Sequence, residues 1–387
     1  MTRSMAGVNP EVLRWARERA GYTQDEVAAA LGKDTSTIQR WEVGEGSPTY
    51  SQLEKLAYHL YKRPLAVFFF PDPPDEPDLS QEFRTLPDFE LDDLTADTRY
   101  ALRQGEAMQL ALRELNDGRN PSPQKIFVDI QVRSTESAAR LARQVRHYLD
   151  VPLRTQIEWQ SNDQALQRWR DAVQDKGIFV FKRSLKQRDV CGFSLLDDQF
   201  PVIYLNNSTP RTRQIFTVFH ELAHLLLHTN GVTKRDDRYI SSLSGTPRRV
   251  EVFCNAFAAE LLVPSDDFDE HLRRPRYDDQ WFSATADRYH VSREVILRKL
   301  LDRGLIDDRR YREKADQWIR ESREREARGG GNYYATQATY LGQKFLDLAF
   351  SRYYQGRCTL EQLADYLNVR VQSIPGLEQR ALKAAAG

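Results

Sequence analysis

The segment Phe219-His220-Glu221-Leu222-Ala223-His224 sets two imidazoles and a carboxylate at HExxH spacing. On a helix, residues four apart share a face, so His220 and His224 can reach one cation. Glu221 lies about 100° round the axis and cannot point at that cation with them. Neutral imidazole suits Zn²⁺, and two such ligands plus a carboxylate leave a fourth position open to water, as in a catalytic site. The same set accepts Mn²⁺. A motif this short also arises by accident, on a helix that merely bears two histidines, so the surrounding elements decide.

Before the motif, Gly177–Phe181 is a short apolar run of β type. Cys191–Leu196 and Pro201–Leu205, separated by Asp197-Asp198-Gln199, read as a hairpin. Asn206–Pro210 turns the chain, and Arg211 opens the HExxH helix. A strand beside a metal can hold a peptide by backbone pairing, and Val202–Leu205 is the strand expected to do so. After the motif, Thr229–Arg249 is charged and long enough for a cleft flap. Glu251–Pro264 then has helical periodicity and stops at its proline.

HELAH followed by E-x-x-x-N-x-F-A-x-x-L-L-x-P, from Glu251 through Asn255, Phe257, Ala258, Leu261 and Leu262 to Pro264, resembles the ImmA/IrrE metallopeptidases. These are prokaryotic proteases that cleave transcriptional repressors. The resemblance spans residues 178–264 and implies that His220, His224 and Glu251 bind zinc, with Glu221 as general base. Glu221 would take a proton from the attacking water and pass it to the leaving amine. Four neighbours have plainer expectations: His228 caps the helix end, Glu260 is a rival carboxylate, Asn255 is an outer donor, and Cys254 is a small buried hydrophobe.

The N-terminal segment carries different information. Pro10 opens a first helix that stops near Gly21, and Thr23 with Glu26 forms a capping box for a second that Gly32 closes. Asp34 is the expected cap of a third, Thr35–Glu42, and a fourth runs Tyr50–Leu60. Thr23-Gln24, Ala28, Leu31 and Gly32 resemble the phage-repressor helix-turn-helix. The resemblance implies DNA-facing Thr35, Ser36, Thr37, Gln39 and Arg40, with Gln24 as a phosphate clamp. Nine basic against eight acidic residues in 1–70 imply weak DNA binding by a monomer, and a homodimer is compatible with that.

Over the full 387 residues, basic and acidic side chains balance at 56 each, so any nucleic-acid surface must be local. Three scattered cysteines without CxxC point to reduced thiols and a cytoplasmic setting. No apolar run is long enough for a membrane span, and no secretory leader is evident at the N-terminus. The expected fold is α+β and multidomain: an all-α helix-turn-helix domain (1–70), a Pro-rich linker and helical connector (71–124), and a zincin-like metallopeptidase domain with a small sheet (125–270). A helix-turn-helix-like unit with a charged connector (271–328) and an all-α C-terminal domain (329–387) complete it, with one long helix expected up to Tyr354. The expected function is a zinc endopeptidase joined to a double-stranded-DNA-binding domain, regulating transcription by cleaving a repressor or antitoxin. The alternative is a DNA-binding regulator or antitoxin whose metal site senses or binds a partner without proteolysis.

Overall fold

The computed structural model describes residues 5–76, 93–133, 135–235, 239–240, 242–272, 277–325 and 333–385. Pro77, Ser134 and residues 329–332 lie outside them. The chain divides into two compact units, Met1–Gln104 with Leu185–Gln187, and Gly105–Ser184 with Arg188–Gly387.

In the first unit, α1 (Pro10–Ala20), α2 (Gln24–Leu31) and α3 (Thr35–Glu42) end where their caps dictate. Thr23 and Glu26 form the reciprocal capping box, which satisfies two otherwise orphaned amides. Asp34 sits at the N-cap of α3 but makes no capping bond. The Thr35 hydroxyl instead donates to Asp25 at 2.5 Å. The fourth helix is α4 (Tyr50–Glu54), continuing as a wider π-helical turn, Lys55–Tyr61. Val12, Ala16, Val27, Ile38, Leu53 and Leu56 close a core of their own.

The expected linker does not stand clear of this unit. Phe68 is buried in the same core, and Asn9 Nδ2 donates to the Phe70 and Pro71 carbonyls at 2.9 and 2.8 Å. Arg63 grips both oxygens of Glu76 at 2.6 and 2.7 Å. Proline fixes an extended backbone, yet a bidentate ion pair and a buried ring hold that backbone down. The division between the two compact units falls inside the helix Ala96–Leu115.

The second unit is built on a four-stranded sheet of order β1-β3-β2-β4. β1 (Phe179–Arg183) runs parallel to β3 (Val202–Asn206), and β2 (Val190–Leu195) is antiparallel to both β3 and β4 (Gly231–Lys234). The expected hairpin is β2–β3. Two expectations change. β3 has a strand on each side, so its backbone cannot also pair with a substrate. The Thr229–Arg249 stretch is not all loop, because it contains β4 and the start of the helix Gly245–Leu262.

The HExxH helix, Arg211–Leu226, starts behind Pro210 and is buried all round from Gln214 onward, as a helix through the centre of a core must be. Its start is tied down by polar bonds: Gln214 donates to the Thr209 carbonyl at 2.7 Å, and Asn206 donates to the Val190 carbonyl at 2.7 Å. Trp169 meets Phe219 edge-on at 4.7 Å between ring centres, holding the helix on its far side. Helix Gly245–Leu262 packs against it, and its terminal carbonyls are satisfied from a distance. Arg146 donates to the Leu261 carbonyl and Gln156 to that of Leu262.

Helices Asp279–Tyr289 and Arg293–Asp302 make the expected second helix-turn-helix shape, with Ser292 capping the latter. Phe282, Tyr289, Ile296 and Leu300 join the same core as Phe219 and Leu222, so this unit is packing material for the HExxH helix. The helix expected to run from Tyr333 to Tyr354 is two, Tyr333–Leu341 and Gln343–Tyr354. Gly342 breaks it with φ 82°, and a Cβ there would stand 2.8 Å from the Arg170 guanidinium. That buried guanidinium donates to the carbonyls of Val180 on β1 and Thr339, at 2.7 and 3.3 Å. Phe345 packs edge-on against Phe181 of β1 at 5.2 Å. The C-terminal helices therefore cover β1.

Candidate metal centre and reading helix

His220, His224 and Glu251 come together, each with 0–1% of its surface exposed. The two Nε2 atoms are 3.2 Å apart; His220 Nε2 is 3.3 Å from Glu251 Oε2, and His224 Nε2 is 3.3 Å from Glu251 Oε1. Tetrahedral bonds of about 2.0 Å would place neighbouring donors about 3.3 Å from one another. The two nitrogens are thus already spaced like neighbouring vertices of such a tetrahedron, and each meets a different oxygen of Glu251 at the same spacing. Glu251 Oε1 is buried and has no hydrogen-bond partner, which is costly unless a cation completes it. The donor set fits a divalent ion bound by two nitrogens and an oxygen.

Electrostatics agree. Burial lowers the pKa of both imidazoles, but the Glu251 carboxylate outweighs it and raises them. Burial pushes Glu251 up, and the two imidazoles override that and hold it well below the usual carboxylate range. A cation bound here competes with protons for the imidazole nitrogens.

The supporting contacts are specific. His220 Nδ1 faces Asn255 Oδ1 at 2.8 Å, and His224 Nδ1 faces Thr229 Oγ1 at 3.3 Å, so each ring is held with Nε2 inward. Tyr239 donates to Glu251 Oε2 at 2.7 Å. Glu221 is fully buried and accepts from Ser194 Oγ on β2 at 2.6 Å and from Thr233 Oγ1 on β4 at 2.5 Å. Two glycines let the helix sit this close to the sheet. A Cβ on Gly231 would stand 2.5 Å from His224 Cδ2 and 2.6 Å from Glu221 Oε2; one on Gly192 would stand 2.5 Å from the Tyr204 carbonyl and 2.7 Å from Thr217.

The neighbours sort out as follows. His228 is exposed, with φ 55° just past the helix end, so it is no part of the donor set. Glu260 is taken by Lys299 at 2.8 Å and by Ser265, which removes it as a rival. Cys254 is buried, as a small hydrophobe would be. Its sulfur, however, lies with the His220 and His224 nitrogens in a set of atoms all within 4.8 Å of one another. Sequence reasoning missed Thr229, Ser194, Thr233 and Tyr239. Glycine followed by the β-branched Val232-Thr233 was the one local signal for β4, masked by the charges around it.

On α3, Ser36, Gln39 and Arg40 are exposed, while Thr35 and Thr37 are half-buried. Gln24 does not point outward unengaged: its amide donates to Glu42 Oε2 at 2.8 Å, and Arg17 pairs with the same buried carboxylate at 2.7 Å. A phosphate contact would have to use the rest of the Gln24 carboxamide. No helix among the described residues is long and apolar enough to cross a membrane.

Residues 173–301 match the family model described as the IrrE N-terminal-like domain, and residues 13–60 match a helix-turn-helix model. The radiation response metalloprotease IrrE of Deinococcus deserti is 30% identical over 133 residues, which make up 33% of this chain and 44% of that protein. The chain thus spans less than half the length of that curated relative.

Proposed function

We propose, for a chain that joins a domain of the ImmA/IrrE family to an N-terminal helix-turn-helix, that it is a zinc-dependent endopeptidase regulating transcription by cutting a repressor or antitoxin. The observation that carries this reading is the pair formed by a three-donor cluster at tetrahedral spacing and a buried carboxylate next to it that is not a donor. A site that only held or sensed a metal has no use for Glu221.

His220, His224 and Glu251 would hold the ion in a zincin-like arrangement, with Asn255 and Thr229 fixing the imidazole tautomers. When bound, zinc supplies Lewis acidity, polarising a carbonyl and lowering the pKa of a water. Glu221 acts as the base. Ser194 and Thr233 orient its carboxylate, and each oxygen keeps a second lone pair for the proton. The substrate strand lies along β4, which ends the sheet order beside the metal helix, rather than along β3. In the first unit, Ser36, Gln39 and Arg40 of α3 face DNA, with Thr35 and Thr37 closer to the domain body. The protein works in the cytoplasm, where its three free thiols stay reduced.

The test is cleavage of repressors and antitoxins encoded near the gene. The protein as purified should cut one of them, a chelator should stop cleavage, and added Zn²⁺ should restore it. Stoichiometric metal with no cleavage of any such protein would leave a metal-holding regulator instead.

A further inference from the structure

A fourth potential donor lies close to the two histidines. Cys254 sits one turn past Glu251 on the same helix, fully buried, and its sulfur belongs with the His220 and His224 nitrogens to the one His/Cys/Asp/Glu cluster of metal-binding size among the described residues. Glu251 reaches the Nε2 atoms of the same two histidines at 3.3 Å each, through different oxygens. Zinc sites that work on substrate keep one position open, whereas sites closed by four protein donors, thiolate among them, are structural. The geometry points to Cys254 as a fourth protein ligand, one that occupies the place water needs and keeps the centre latent until it is displaced. This inference rests on the metal-centre reading above.

The step balances simply. The Cys254 thiol loses its proton to solvent as the metal–sulfur bond forms, and regains one when a water or a substrate oxygen takes its place. No electron is transferred. Glu251 stays on the metal while the thiolate leaves, because its carboxylate is held from behind by the Tyr239 hydroxyl at 2.7 Å.

Cobalt substitution reads this directly. The protein is stripped and reloaded with Co²⁺ alone, and the visible d–d bands are recorded together with the near-ultraviolet thiolate-to-cobalt charge-transfer band. The wild type should show both. Cys254→Ser should keep the d–d bands and lose the charge-transfer band, and should bind Co²⁺ more weakly by at least the ~10- to 100-fold that loss of an outer partner costs. Cadmium NMR on the wild type alone gives the same answer if the variant fails to fold: one sulfur ligand shifts the resonance well downfield of a nitrogen–oxygen site. Cobalt d–d bands with no charge-transfer band, or a cadmium resonance typical of nitrogen and oxygen donors, would overturn the inference and leave the three-donor centre standing. No cobalt uptake by the wild type would overturn both.

Discussion

The candidate metal helix, Arg211–Leu226, and the candidate reading helix α3 are opposite solutions for a functional element. On Arg211–Leu226 every chemical side chain is buried and each has a named partner: Asn255 for His220, Thr229 for His224, Ser194 and Thr233 for Glu221. On α3 the core face is Ile38 and Trp41, and Ser36, Gln39 and Arg40 stand in solvent. The first site is pre-organised and intolerant of change; the second is adaptable, and its energy comes from what it meets. Substitutions should therefore cost shape and metal affinity at one helix and only binding at the other.

Gly231→Ala should do most damage at the buried site, because a methyl group 2.5 Å from His224 and 2.6 Å from Glu221 has nowhere to go. Overpacking of this kind costs about 1–3 kcal/mol of stability, and a fall in metal stoichiometry should accompany it, read by denaturant unfolding and metal analysis. Asn255→Ala leaves the fold standing and frees the His220 ring. Metal affinity should drop roughly 10- to 100-fold in a competition titration. An unchanged affinity would mean the 2.8 Å contact positions nothing.

Lys182 extends the comparison to charge. Burial, with Arg170 and Arg211 nearby, lowers its pKa to about 7 from 10.5. Between those two values the unfolded chain binds more protons than the folded one, so this group makes stability rise with pH across that window. Lys182→Met should stabilise the protein by up to ~4 kcal/mol near pH 7, with the gain closing toward pH 10. A gain independent of pH would assign the effect to packing. Arg40, exposed on α3, should behave oppositely: Arg40→Ala leaves melting and metal content alone, weakens double-stranded DNA binding, and lowers the slope of log affinity against log salt by about one.

What was legible in the sequence follows the same divide between local and distant causes. Helix limits in the first unit could be read because Pro10, Thr23, Gly21 and Gly32 act within a few residues. The HExxH face and the Glu251 helix were readable from period and motif. The placing of β4 was not, because its pairing with β2 is a tertiary event and its sequence is charged at both ends. Without β4 there was no route to Thr233, and the edge of the sheet was misassigned to β3. A related gap lies after residue 70: prolines there declare an extended backbone and say nothing of Arg63, which grips Glu76 from 13 residues away. Cys254 was right in burial and silent in direction, since only the fold turns its sulfur toward two histidines.

The central claim is that this buried cluster both holds a metal and uses Glu221 on it. Glu221→Gln separates the two, because the amide matches the carboxylate in shape but cannot take a proton. Metal content and repressor cleavage measured on the same preparation should give a full complement of metal and a fall in turnover of about 10²- to 10⁴-fold. Cleavage that survives the substitution would contradict the account.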